Sequence, residues 1–335
     1  MNETAQSAGA ATEGAAAGPT RRVSAALKPS RIMPGATLIV LLLIVGGTHP
    51  QFFSAYSLQT LASAAGPLIL LACGEFIVIL LGGIDLSLGA ITALGTILLA
   101  LWLGHANGAL VVLAVLAVMA GMGALNGAVT VKAQIPSFIT TLGSLGLWTG
   151  VALVVSGATS QQVSDMGPIG WINGSLGGVP DAFLIAVVAA LLLGLGLRYL
   201  PGGRLGMYSV GWSEPAAIMS GIRVARIRIA AFTIAGAFGG LAAVMLAAQT
   251  GSGDPTSAAS FLLPAIAGVI VGGNAITGGA GSVLRAVIGA GIITVVENGI
   301  GILGINPFSE QIIYGVVLIG AAGLTLDRSR IGVVK

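Results

Sequence analysis

Apolar residues run along this chain in long blocks, broken by short polar or glycine-rich stretches. A bilayer core of about 30 Å asks for roughly 20 apolar residues per helix, and these blocks have that length. They predict spans near 34–50, 60–81, 86–104, 108–131, 138–156, 180–199, 228–249, 259–275, 284–304 and 310–326. The expected fold is therefore an all-α polytopic membrane protein with about ten transmembrane helices. The first block is the least typical. Ala36 to Val45 follows Arg21, Arg22, Lys28 and Arg31, as the core of a secretory signal would. No small-x-small cleavage site comes after it, so it reads as a retained first helix. Residues 1–31, rich in Ala, Gly, Ser and Thr, predict a disordered tail. A membrane domain is expected over 32–328, with a long loop at about 200–227 and a short tail at 329–335.

Composition removes the soluble alternatives. The 335 residues are 56% hydrophobic and 7% charged, against the roughly 25% charged of ordinary soluble domains. The net charge of +3 is too small for a phosphate-binding surface, so no nucleic-acid partner is expected. Charge also orients the chain. In the ten-span map all 14 Lys and Arg fall on the side of the N-terminus, while Asp165, Asp181, Asp254 and Glu310 lie opposite. The positive-inside rule then places both termini in the cytoplasm. Spans rich in small residues, such as Gly236, Gly239 and Gly240, or Gly289 and Gly291, predict a tightly packed bundle.

The reactive inventory is short. Cys73 sits in an apolar run and reads as a small buried hydrophobe, and His49 and His105 are isolated from acids and Cys. No metal site or catalytic group is expected from them. None of Lys28, Lys132 and Lys335 follows a glycine, so the chain has no nucleotide phosphate-binding loop. Glu75 and Glu297 are the acids placed inside spans, with no cation at comparable depth. An ionised carboxylate in hydrocarbon is costly, so each is expected to face the bundle interior. They read either as a proton relay or ligand-binding group, or as interhelix glue and cavity wall. Asn126, Asn274 and Asn298 lie near span ends and suit turn or interhelix hydrogen bonds. With Glu75, Asp85 and Glu297, Asn126 and Asn274 complete the set of translocation-pathway candidates. Arg223, Arg226 and Arg228 read as topogenic charge and headgroup contacts.

Four motifs carry more information. In Gly82-Gly83-Ile84-Asp85-Leu86-Ser87 the glycines break one helix and Asp85 can cap the next. Leu125-Asn126-Gly127 is followed by Ile135-Pro136-Ser137-Phe138-Ile139, where Pro136 can start the fifth span. Gly272-Gly273-Asn274 and Gly278-Gly279-Ala280-Gly281-Ser282 predict a mobile connection open to close backbone approach. In the long loop, Ser213 can cap a short helix with Glu214 and Pro215 in its first turn, and Gly221 can end it.

Together these motifs resemble the membrane permeases of bacterial ATP-driven sugar importers of the ribose, xylose, arabinose and galactose type, from about Ser57 to Leu326. Asn298-Gly299 and Leu303-Gly304-Ile305-Asn306-Pro307-Phe308 add to the likeness. The loop departs from the family in one place: Gly211-Trp212-Ser213 stands where Gly-Gly-Asn is usual. The resemblance implies a transport subunit in a bacterial inner membrane, not an enzyme. It also implies separate ATP-binding subunits that hold ATP and Mg, a periplasmic sugar-binding protein, and a second permease copy, read as a homodimer in membrane lipid. This chain itself then needs no cofactor. Within that assembly Ser213, Glu214, Ala216, Ala217, Ser220 and Gly221 are the expected ATPase-coupling residues, because a small, partly apolar helix suits docking into a groove. The competing reading is a proton-coupled secondary carrier using Glu75 and Glu297.

Overall fold

The computed structural model describes residues 29–302 and, beyond them, 304, 306, 309, 312–316, 319 and 320. Most of the expected N-terminal tail, most of the tenth span and the tail at 329–335 lie outside the described residues. Eleven α-helices are assigned among the described residues: α1 Pro29–Thr48, α2 Ala55–Leu80, α3 Leu88–Trp102, α4 Gly108–Lys132, α5 Ser137–Ser156, α6 Asp181–Tyr199, α7 Tyr208–Trp212, α8 Glu214–Met219, α9 Val224–Thr250, α10 Leu262–Val271 and α11 Val283–Ile302. Residues 29–31, which the sequence places in the tail, are thus helical. Among the described residues six helices (α2, α4, α5, α6, α9 and α11) are long and apolar enough to cross a membrane.

The sheet content is slight. Short antiparallel pairs join Gln161–Gln162 to Ser252–Gly253 and Ser175–Leu176 to Val179–Pro180. Both lie at the end of the bundle that carries Asp165, Asp181 and Asp254. Lys132, Arg204, Arg223, Arg226 and Arg285 lie at the opposite end, so acidic and basic ends are distinct.

The core is built around α2, in which every residue from Ala65 to Leu80 is buried. A helix that is apolar all round belongs in the centre of a bundle. Around it α9 packs on α4, α2 and α3, while α11 packs on α10, α2 and α1. Helix α5 touches chiefly α3 and α4 and leaves Phe138, Ile139, Leu142, Leu147 and Val154 exposed.

Two expected spans hold helices that begin inside the protein: the one near 86–104 holds α3, within two residues of the expectation at each end, and the one near 259–275 holds the ten residues of α10. Leu88, the first residue of α3, packs on Gly74, six residues back from the end of α2. The chain therefore climbs about 9 Å into the bundle before α3 starts. The partner segment descends from the acidic end: the backbone N–H of Asp254 donates to Thr96 Oγ1 at 3.2 Å. A tight turn at Ser257–Phe261 then leads into the ten residues of α10. A Cβ on Gly89 would lie 3.0 Å from the carbonyl oxygen of buried Ala258, so the starts of the two short helices meet. Non-helical backbone survives at such depth only where protein surrounds it.

Small residues set the helix spacing, as the sequence predicts. A Cβ on Gly236 would collide with the carbonyl of Met119, and one on Gly123 with the carbonyl of Phe232. Likewise Gly289 abuts the carbonyl of Gly268 across the α10–α11 contact. Without a hydrophobic drive between helices in lipid, such close packing supplies the attraction. Gly236→Ala is accordingly expected to destabilise the purified protein by about 1–3 kcal/mol. Gly121→Ala, where an added Cβ meets nothing within 4 Å, should not. Melting curves of the two variants in detergent check this, and equal midpoints would argue against the crossing.

Candidate functional site

The break after α2 is made by Gly82, whose φ of 74° is in the left-handed region, followed by an extended climb. Asp85 is fully buried. Its Oδ1 accepts from the backbone N–H of Ser87 at 2.9 Å and from the Ser87 hydroxyl at 2.6 Å. Asp85 thus closes the turn just before α3, where the positive end of the helix dipole favours a carboxylate. Its Oδ2 has no hydrogen-bond partner among the described residues.

From Ser87 the network continues across the bundle. Asn126 Nδ2 of α4 donates to Ser87 Oγ at 2.7 Å. The Ser144 hydroxyl of α5 donates to Asn126 Oδ1 at 2.6 Å. The first turn of α5 grips the same loop: Ser137 Oγ accepts from the N–H of Ile84 at 3.3 Å, and Thr141 Oγ1 donates to the Ile84 carbonyl at 3.2 Å. The structure therefore joins two pathway candidates, Asp85 and Asn126, through Ser87. Ser144 was not legible as their partner, because a serine among apolar residues carries no spacing signal.

Glu75 is fully buried on α2. Neither of its carboxylate oxygens completes a hydrogen bond among the described residues. Glu297 belongs elsewhere. The Tyr314 hydroxyl donates to Glu297 Oε1 at 2.6 Å. Counted from the basic end, Glu75 lies five residues before Leu80 and Glu297 fourteen after Val283. At the helical rise their positions along the two helices differ by about 13 Å.

Asn274 is buried and local in its bonding. Its Nδ2 donates to the Val269 carbonyl at 2.8 Å, and its Oδ1 accepts from the Ser282 N–H at 2.8 Å. It thereby ties both ends of the glycine-rich loop. The mobile connection that the glycines predict is instead pinned, since Gly279 N–H also donates to the Leu80 carbonyl at 2.9 Å. Close backbone approach does occur. A Cβ on Gly278 would lie 2.6 Å from the nitrogen of Gly82, and one on Gly279 would lie 2.6 Å from Cα of Trp212. Gly211 itself abuts the Leu80 carbonyl. Both glycine motifs and the arm before α8 meet here. Asn298, by contrast, donates back along α11, to the Thr294 carbonyl at 3.1 Å.

The segment expected to couple forms the helix that its caps predict. Ser213 Oγ accepts from the Ala216 N–H at 3.4 Å, and Gly221 takes a φ of 75°. Gly221 N–H donates to the Ile218 carbonyl, and Ile222 N–H to the Ala217 carbonyl. Glu214 pairs with Arg228 of α9 at 2.6 Å, which fixes the helix against the bundle. The Ser220 hydroxyl donates to the Ala216 carbonyl at 2.9 Å. The direction of Ala217 needs correction: it is 2% exposed and packs inward. The outward face is Ala216, Ile218, Met219 and Ser220, with Met219 90% exposed.

Among the described residues no group of three or more His, Cys, Asp or Glu could hold a metal ion. On the acidic surface, bonds from the Thr256 hydroxyl and backbone hold the Asp254 carboxyl below its ordinary range.

Fold and composition define a multi-pass, all-α membrane protein. The sequence profile of the family described as "Branched-chain amino acid transport system / permease component" matches residues 57–322, and the chain belongs to that family. It is a transport component and not an enzyme. It is similar to ribose import permease protein RbsC of Bacillus subtilis (strain 168), 33% identical over 90% of this chain and 93% of that protein. RbsC of Escherichia coli (strain K12) is 32% identical over 84% of this chain and 89% of the relative. The D-allose transport system permease protein AlsC of the same strain is 31% identical over 86% and 89%. No solved structure matches.

The buried chain from Asp85 to Ser144 makes Asn126 its hinge. Asn126→Ala is expected to cost about 1–3 kcal/mol, since the remaining buried groups lose their partners. Thermal melting in detergent measures it, and an unchanged midpoint would show that the network contributes little.

Proposed function

We propose that the chain is the permease subunit of an ATP-binding-cassette importer, and that it forms the membrane pathway for a sugar. The family match carries this reading, and relatives named for ribose and D-allose support the sugar class. In the proposed assembly a periplasmic binding protein delivers the sugar to the acidic end. Separate subunits, holding ATP and Mg, hydrolyse the nucleotide beneath the basic end. The chain has about ten spans, lies in a bacterial inner membrane with both termini in the cytoplasm, and pairs with a second copy of itself. Residues 32–328 form the transmembrane domain, and the loop near 200–227 meets the ATP-binding subunits.

Helix α8 supplies the mechanism. Its outer face is small and apolar, while its inner face is fixed by Ala217 and by the Arg228–Glu214 pair. A push on α8 travels through Trp212 and Gly211 to Gly279 and Leu80, at the end of the central helix. From there α2 reaches Glu75, and the following turn reaches Asp85 and Asn126. The proton-coupled carrier is the weaker reading, because Glu75 and Glu297 stand at different positions along their helices and Glu297 is bonded to Tyr314.

Met219→Glu changes only the outward face, whereas Ala217→Arg would disturb the packing beneath α8. The Met219 variant is expected to reach the membrane at normal level and to lose sugar uptake and stimulated ATP hydrolysis together. Proteoliposomes carrying permease, ATP-binding subunit and sugar-binding protein measure both. Normal uptake by the variant would remove α8 from the coupling path; uptake driven by a proton gradient alone would favour the carrier. Accessibility tags after Lys335 and in the loop at Asn173 should report the cytoplasm and the outside respectively. The same side for both would overturn the topology.

A further inference from the structure

A cavity of about 820 Å³ opens at the basic end, where the close of α2, the α4–α5 turn, α8 and the start of α9 converge. That volume lies within the roughly 300–1,000 Å³ of ligand-binding clefts. Its lining has two characters. Val131 and Ile135 around the α4–α5 turn and Ile218 of α8 give it an apolar wall, backed by the buried Val78 and Phe232. Arg223, Arg226 and Arg228 give it a cationic rim. Arg228 is paired with Glu214, but Arg223 and Arg226 form no ion pair among the described residues. A further polar group lines the same space: Thr130 is 6% exposed, and its hydroxyl has no hydrogen-bond partner among the described residues. A buried hydroxyl left unpaired is costly, and a ligand oxygen would relieve it.

We propose that this cavity binds the phosphate headgroup of an anionic phospholipid, with the acyl chains running up the apolar wall. An anion is needed to match two unpaired guanidinium groups, and Arg forks suit phosphate oxygens. A membrane amphiphile fits the pairing of cationic rim with apolar wall at the bilayer edge, and basic pockets between membrane helices bind such headgroups. The site borders α8 through Glu214 and Ile218, and it borders the Asp85 turn through Gly82 and Gly83. Lipid in the cavity therefore braces the coupling helix against the bundle. This bracing role rests on the function proposed above; the binding itself does not.

The test is native mass spectrometry of the purified full chain, titrated with phosphatidylglycerol or phosphatidylcholine. Wild type should retain phosphatidylglycerol selectively. Arg223→Ala/Arg226→Ala should weaken that retention about thirtyfold, the loss expected for two interfacial arginines. Both residues are exposed, so the fold is spared. Lys132→Ala, an exposed cation outside the cavity lining, should retain the lipid. Equal retention by the double variant, or no preference for the anionic lipid, would overturn the proposal. Displacement by millimolar inorganic phosphate would reassign the site to a soluble anion. Unchanged lipid retention with loss of binding to the ATP-binding subunit would reassign the arginines to a protein contact. Lipid retention is read without transport, so its failure is separable from failure of the importer reading.

Discussion

The hydrogen bond from Gly279 N–H to the Leu80 carbonyl holds the working parts of this molecule together. Leu80 ends the stretch of α2, Ala65–Leu80, that is buried on every side, and an orphan carbonyl at a buried helix end must find a donor. Gly279 comes from the loop between α10 and α11 and reaches it because its φ is 72° and neither it nor Gly278 carries a side chain. Gly211 occupies the same spot from the other side. Any Cβ there would push the arm bearing α8 away from the central helix.

A second constraint is electrical. Glu75 and Asp85 lie in a fully buried region whose neighbouring charges include no salt-bridged cation among the described residues. The protein meets this cost with dipoles and hydrogen bonds: the start of α3, the Ser87 donors, and through them Asn126 and Ser144. Such a network is strong where it is satisfied, and it fixes the packing of four segments. The free oxygens of Glu75 and Asp85 Oδ2 are its unfinished part.

Much of this was legible in the sequence. Hydropathy located α2, α4, α5, α6, α9 and α11 within a few residues, because each is a continuous apolar run of sufficient length. Ser213 and Gly221 announced both ends of α8, since caps act through local geometry alone. Hydropathy placed α3 within two residues at each end as well, but it could not show that α10 fills only ten residues of its run, because apolar residues look the same in a helix and in the turn that leads into it. Nor could it show that Ala217 faces inward, since alanine suits either side. The meeting of Gly82, Gly211 and Gly278 is a contact between distant segments, and single-sequence patterns carry no distance information.

The abutting short helices also bear on biosynthesis. From the acidic end, residues 255–261 descend into the bundle as turns, with backbone groups that a lipid environment would leave unpaired. That stretch cannot enter the bilayer alone. Its receiving surfaces, Thr96 and Gly89 of α3, precede it in the chain, and so does α9. Emerging from the ribosome in chain order, the segment meets a slot whose walls are already made. The order of the helices along the gene is thus also a workable order of assembly.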